Sequence, residues 1–268
     1  MAPRHQHRFE TGQKDGIMSF EGKTAIVTGA GTGLGLDLAT RLAQGGANIV
    51  SADILDADAG ADAARGAGAQ AIATTTDVSE KAEVDAMVAR TIETFGQVDI
   101  LINNAAISRG MVLKPFEEVM VDEFRRMIDV NTLSVLLCCQ AVSPHMRARR
   151  YGRIVNVVSG TAFKGAPNLC AYTASKGAVI TMTRSLANEF GADDITVNAV
   201  SPGYTLTQSN LENTDFDAVY RSVARDTRAL RRDAQPEDVS RVGLFLASDD
   251  ASFVTGQVIA ADGGSVYH

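Results

Sequence analysis

The chain has 268 residues, 45% of them hydrophobic, and a formal net charge of −7. That length fits one large α/β domain or two small ones, with enough apolar residues for a substantial core. The acidic balance argues against a nucleic acid or an anionic membrane as general partner, since both favour basic surfaces.

The first 17 residues, "MAPRHQHRFETGQKDGI", are polar and lack the apolar segment of a secretory signal. Residues 1–19 therefore read as a flexible tail, and the domain as residues 20–268. No apolar run approaches the roughly 18 residues that cross a membrane. Cys138, Cys139 and Cys170 have no disulfide or zinc spacing, and the adjacent pair lies in an apolar, helix-like run. Free buried thiols point to a reducing cytoplasm. The four histidines join no cluster with metal-ligand spacing, so no protein-bound metal is expected.

After the tail, short β-branched runs alternate with amphipathic stretches. "TAIVTG" (24–29) reads as a strand, and 34–44 as a helix stopped by Gly45-Gly46. "NIVSAD" (48–53) is the next strand. Further strands are expected at 71–78, 98–105, 152–159, 195–203 and 256–263, with helices at about 56–66, 79–95, 117–149, 172–191 and 237–247. Strands that are apolar throughout, each joined to the next by a helix, predict a parallel sheet covered on both faces. The expected fold is α/β: a single doubly wound Rossmann-type domain with a mostly parallel seven-stranded sheet. Ligands of such folds bind beyond the carboxyl ends of the strands.

"TGAGTGLG" (28–35) stands where the first strand meets the first helix. Its glycines allow a tight turn and let a pyrophosphate approach the N–H groups of the helix N-terminus; a plain strand–helix turn has the same composition. The next strand ends in Asp53, 18 residues after Gly35. A carboxylate there can accept from both hydroxyls of an adenosine ribose and repels a 2′-phosphate. With no Arg or Lys in the loop or directly after Asp53, the expected cofactor is NAD. Asp77, at the end of the third strand, is placed either to meet the adenine edge or to cap a helix.

"AYTASKGA" (171–178) carries Tyr172 and Lys176 four residues apart, on one face of a helix. The pair is either incidental or a phenol whose ionisation the ammonium favours. A phenol, with a reference pKa near 10, needs about three units of depression, about 4 kcal/mol, to act as a base near neutrality. Lys176 and a positive nicotinamide ring could each contribute.

With the glycine loop, "NNAA" (103–106), Asn131, Ser159 and "YTASK" in this order, the chain resembles the short-chain dehydrogenase/reductase (SDR) family. The match runs from about residue 20 to 266 and includes "SPGYTLT" (201–207) and the segment from Pro236 to Gly264. The resemblance implies cofactor contacts from Gly29, Thr32, Gly33, Leu34 and Gly35, from Asp53, and from Asp77 and Val78. It implies the same for Asn103 in the first Asn position of the family's NNAG, followed by Asn104 and Ala105, with Ala106 in place of the last glycine. Pro202, Gly203, Thr205 and Thr207 would cover the nicotinamide. Asn131 matches the helix asparagine that holds a proton-relay water. Ser159 would hold the substrate oxygen beside Tyr172, the general base or acid, while Lys176 would also bond the nicotinamide ribose. Phe163, Leu169 and Tyr204 are the further substrate-binding candidates.

The implied activity is NAD-dependent interconversion of a secondary alcohol and its ketone. A sugar or polyol dehydrogenase and a 3-oxoacyl-thioester reductase are the alternatives, with an NAD(H)-binding regulator as the non-enzyme reading. Residues 204–230 should form a lid whose apolar residues (Leu206, Leu211, Phe216, Val219, Tyr220) suit an apolar small-molecule substrate. The family also implies a homodimer or homotetramer assembled through helices 117–149 and 172–191.

Overall fold

The computed structural model describes residues 18–108 and 111–267. Among them, seven strands form one sheet: β1 (Thr24–Thr28), β2 (Asn48–Asp53), β3 (Ala71–Thr75), β4 (Ile100–Asn103), β5 (Gly152–Val157), β6 (Ile195–Pro202) and β7 (Val258–Ala261). Their order is β3-β2-β1-β4-β5-β6-β7, and every pairing is parallel. The helices are α1 (Gly33–Gln44), α2 (Ala57–Gly66), α3 (Lys81–Phe95), α4 (Val121–Ile128), α5 (Ser134–Arg149), α6 (Thr161–Lys164), α7 (Cys170–Phe190), α8 (Gln208–Glu212), α9 (Thr214–Thr227) and α10 (Pro236–Ala247). Of the tail expected at 1–19, all but Met18 and Ser19 lies outside the described residues.

The strands show why the sheet is buried on both faces. Successive side chains alternate sides: Ile26 and Leu101 enter one apolar cluster, while Ala25, Val27, Ile100 and Ile102 enter the other. The first cluster takes α3, α5 and α7 against the sheet through Met87, Cys138, Cys139, Val142 and Val179. The second takes α1 and α10 through Leu38, Leu42, Val239 and Leu246. Cys138 and Cys139 are buried as expected, and burial pushes both thiols up, Cys139 to about 12.

One expected helix is not uniform. The stretch read as 117–149 begins with a 3-10 turn at Phe116–Glu118 and continues through α4, a π-turn at Asp129–Leu133 and α5. The wider π-turn brings consecutive residues to α7: Asn131 Nδ2 donates to Ser175 Oγ (3.1 Å) and Thr132 Oγ1 to the Ser175 carbonyl (3.0 Å). Contrary to the sequence expectation, Val121–Arg149 is long and apolar enough by composition to cross a membrane. In the fold its α5 portion is a core helix, burying Val135, Cys138, Cys139, Val142 and Met146.

Candidate active site

The strand order reverses between β1 and β4, so the loops that follow them diverge and open a crevice at their carboxyl ends. A cleft of about 700 Å³ lies there. It runs from the N-terminus of α1, past the ends of β4 and β5, to the segment after β6 and to α9.

The glycine loop shapes one end. Gly29 and Gly33 have φ of +64° and +58°, in the left-handed region that favours glycine. A Cβ on Gly35 would stand 2.0 Å from the Gly29 carbonyl oxygen, so helix and loop touch only because that residue is glycine. Thr32, the N-cap of α1, makes no side-chain cap bond, and the first turn carries no acid. With Thr32, Gly33, Leu34 and Gly35 lining the cleft, this bare helix end fits a pyrophosphate. Asp53 also lines the cleft. Its Oδ2 accepts from Gly31 N (3.0 Å) and its Oδ1 from Leu55 N (2.9 Å), which fixes the carboxylate against the loop.

Asp77 and Val78 line the cleft as expected. The Asp77 carboxylate is already engaged, by the Ser79 N–H (2.9 Å) and hydroxyl (2.5 Å) and by Arg126 (3.3 Å). Burial raises its pKa, but the Ser79 bonds and Arg126 outweigh this and hold it below the usual carboxylate range. The N-cap of α3 is Glu80, so Asp77 caps no helix; it braces the turn before α3 from its place in the wall. Arg126, which no motif marked, lines the same region.

The two asparagines of "NNAA" part company. Asn103, expected beside the cofactor, is 6% exposed and donates into the core, to Asn156 Oδ1 (2.9 Å). Asn104 and Ala105 line the cleft. Asn104 Nδ2 bonds the carbonyls of Thr28 (2.9 Å) and Gly29 (3.0 Å), locking the ends of β1 and β4 together. The cause is strand alternation: the first of two neighbours at the end of a buried strand points into the core.

Ser159, Tyr172 and Lys176 converge on the cleft wall. Burial raises the Tyr172 phenol above its ordinary value, and the neighbouring Ser159 side chain works in the opposite direction. Lys176 was expected to lower the phenol, yet it is not among the groups acting on it. Its Nζ donates instead to the Val157 carbonyl at the end of β5 (2.8 Å). Lys176 is 3% exposed, and burial pushes its ammonium down to about 8.

Asn131 does not line the cleft. Its Oδ1 accepts from Ile107 N (2.7 Å) and its Nδ2 donates to Ser175 Oγ, which donates on to the Tyr172 carbonyl (2.7 Å). The side chain thus braces the first turns of α7, where Tyr172 stands.

The remaining expected residues divide. Pro202, Gly203, Thr205, Thr207, Leu169 and Tyr204 all line the cleft. Phe163 does not: it packs against the core cluster, because α6 turns that side inward. The expected lid at 204–230 consists largely of α8 and α9. Tyr220 Oη donates to the Pro167 carbonyl (3.4 Å) and Asn213 Nδ2 to the Met111 carbonyl (3.2 Å), so the segment bridges both walls. The Phe216 side chain lies outside the described residues. Sequence reasoning missed Thr161, whose hydroxyl donates to Ser159 Oγ (3.0 Å), and Lys164, Asp262 and Ser265 in the cleft wall. No local pattern marks these; only the fold brings 161–164 to 262–265.

Residues 29–266 match the family model described as enoyl-(acyl carrier protein) reductase. The chain is 39% identical over 251 residues to cis-4-hydroxycyclohexanecarboxylate dehydrogenase of Sinomonas cyclohexanicum, covering 92% of this chain and 97% of that protein. Among solved structures, NAD⁺-bound xylitol dehydrogenase matches with a TM-score of 0.86 and 32% identity, over 91% of this chain and 99% of that one. A 7α-hydroxysteroid dehydrogenase complexed with NADH and 7-oxo glycochenodeoxycholic acid matches with a TM-score of 0.85 and 33% identity, over 94% and 97%. Fold and sequence agree with these relatives along nearly the whole chain, which belongs to the short-chain dehydrogenase/reductase family and is an oxidoreductase acting on CH–OH groups.

Proposed function

We propose that the chain is an NAD-dependent dehydrogenase interconverting a secondary alcohol with an apolar substituent and its ketone. The observation that carries this is the convergence of Ser159, Tyr172 and Lys176 in the wall of a cleft whose other end is the uncapped N-terminus of α1. Asp53, fixed by Gly31 N–H at the end of β2, supports NAD over NADP: it can accept from the ribose hydroxyls and repels a 2′-phosphate.

When bound, NAD⁺ would supply the hydride acceptor, the overall balance being alcohol and NAD⁺ to ketone, NADH and one proton. The chain's residues handle the proton and the positioning. Ser159 holds the substrate oxygen next to Tyr172, whose oxygen takes the O–H proton. Lys176, anchored on the Val157 carbonyl, presents a cation beside the ribose position. Asn131 acts as a positioning residue through Ser175. Leu169 and Tyr204 form part of the apolar wall, and α8–α9 cover it. The exposed Phe116, Met120 and Val121 and the partly exposed Phe124 and Leu133 support association as a dimer or tetramer through α4 and the turns on either side of it. A cytoplasmic location is part of the same reading.

Absorbance at 340 nm with NAD⁺ and a panel of secondary alcohols tests the assignment. Tyr172→Phe is expected to abolish turnover while NADH still binds; full turnover by that variant excludes Tyr172 as the proton acceptor.

A further inference from the structure

We infer that Lys164 recognises an anion, and that the substrate is a secondary alcohol bearing a carboxylate at the far end of an apolar body. This rests on the dehydrogenase reading above and specifies its substrate class.

The placement follows from α6. Ser159 Oγ accepts from Thr161 N (3.3 Å), which ties the start of α6 to the substrate-holding hydroxyl. Lys164 closes that helix and lines the cleft. The single turn of α6 separates Lys164 from Ser159 along the cleft wall. A substrate with its carbinol on Ser159 therefore offers Lys164 its opposite end. Leu169, Val223 and Ala224 line the cleft as well, so what spans that gap meets apolar side chains.

Lys164 Nζ donates to the hydroxyl of Ser265, a neutral acceptor, and makes no ion pair among the described residues. Arg228, 4% exposed, adds a positive charge behind it: its guanidinium bonds the carbonyls of Ala224, Arg232 and Tyr204, and its charge also acts on Asp233. Asp262 is the one acid acting on Lys164. Its Oδ1 is held by Gly264 N (2.9 Å) and Ser265 N (3.0 Å), and its Oδ2 is buried without a hydrogen-bond partner. In the cleft wall Lys164 thus stands near Asp262 without a direct ion pair, while Arg228 behind it is shared with Asp233. Burial lowers the Lys164 pKa, Asp262 works against this and Arg228 adds to it. An arriving carboxylate offsets the repulsion from Arg228, and a charge-assisted bond is among the stronger contacts an exposed cleft lysine can make.

The experiment measures kcat and KM with NAD⁺ for matched pairs, each a hydroxy acid and its methyl ester, such as 4-hydroxycyclohexanecarboxylate and a steroidal counterpart. Wild type, Lys164→Met, Lys164→Arg and Ser265→Ala are compared. The wild type should favour the acid of each pair. Lys164→Met should lower the acid-to-ester ratio of kcat/KM by about 10- to 100-fold, chiefly through KM. Lys164→Arg should restore most of the ratio, and Ser265→Ala, which removes the tether and keeps the ammonium, should largely preserve it. An equal loss for acid and ester would mean that Lys164 only holds the C-terminal segment. A wild type that favours esters, or a ratio insensitive to Lys164→Met, overturns the inference and leaves the dehydrogenase reading intact. No NADH from any alcohol strikes the dehydrogenase reading itself.

Discussion

Asp53 is where cofactor choice can be separated from catalysis. Its Oδ2 stands 3.0 Å from Gly31 N, so an adenosine ribose seated against the loop places its 2′ position within about 5 Å of the carboxylate. A 2′-phosphate carries about −1.5 to −2 charges. At that distance its repulsion from one carboxylate is about 1 kcal/mol in bulk water and about 5 kcal/mol at an effective dielectric of 20. Asp53 is half-buried, so the cost lies between these limits, which corresponds to about 10- to 1000-fold in affinity. Asp53→Asn removes the charge and keeps an oxygen for Gly31 N–H. Fluorescence titration should show NADH bound more tightly than NADPH by the wild type. In the variant NADPH should tighten by about tenfold or more, while NADH weakens by about tenfold as charged hydrogen bonds to the ribose become neutral. Raising the salt should narrow the wild-type difference. An NADPH preference in the wild type, or a ratio unmoved by the substitution, refutes the reasoning.

Three further outcomes follow from the geometry. Gly35→Ala puts a Cβ 2.0 Å from Gly29 O and 2.5 Å from Asn104 Nδ2, so it should destabilise the fold by about 2 kcal/mol or more and abolish NADH binding, measured by thermal melting with and without NADH. Arg149→Met leaves the fully buried Asp99 with Thr24 N and Gln97 but without its 2.5 Å ion pair; because Arg149 is itself 39% exposed, the loss in urea denaturation should be about 1–3 kcal/mol, less than for a fully buried pair. Lys176 has a folded pKa of about 8, below its ordinary 10.5, so the unfolded chain holds the extra proton between those values and stability rises with pH from 8 towards 10. Lys176→Met removes a penalty of about 3 kcal/mol at pH 7 and a bond to Val157 O worth about 1.5–3 kcal/mol; the inactive variant should unfold no more easily than wild type at pH 7 and lose its relative advantage by pH 10.

Much of this site is legible in the chain because periodicity and backbone demands leave local marks. β2 is found at 48–53 as read, and Gly29, Gly33, Gly35 and Asp53 stand where a strand–glycine–helix pattern puts them. What escaped depends on direction and distance. Asn103 and Asn104 are neighbours of one type, and only strand alternation sends the first into the core. Phe163 is apolar and near Ser159, yet α6 turns it to the core, while the polar Lys164 beside it reaches the cleft. The contact between Lys164 and Ser265 spans 101 residues, and no local pattern announces it.

The Tyr172–Lys176 pair shows how a correct motif can carry an incomplete mechanism. Four-residue spacing suggested that the ammonium makes the phenol acidic, but Lys176 is bound to Val157 O and the phenol lies above its ordinary value, burial outweighing the neighbouring Ser159 side chain. A base near neutrality needs about 4 kcal/mol in the other direction. In the proposed function that must come with the positive charge of NAD⁺, so phenol ionisation and NAD⁺ binding are coupled, and coupling is reciprocal. NAD⁺ should then bind more tightly as pH rises, by about tenfold per unit between the phenol's pKa in the complex and that of the free protein. NADH, whose ring is neutral, should lack that slope. Dissociation constants for both cofactors from pH 6 to 10, in wild type and Tyr172→Phe, decide the matter. A steep slope for NAD⁺ that disappears in the variant supports the coupling. Parallel slopes for NAD⁺ and NADH would mean that the phenol's proton is governed by the protein alone, and the source of its acidity would have to be sought in the ternary complex with substrate.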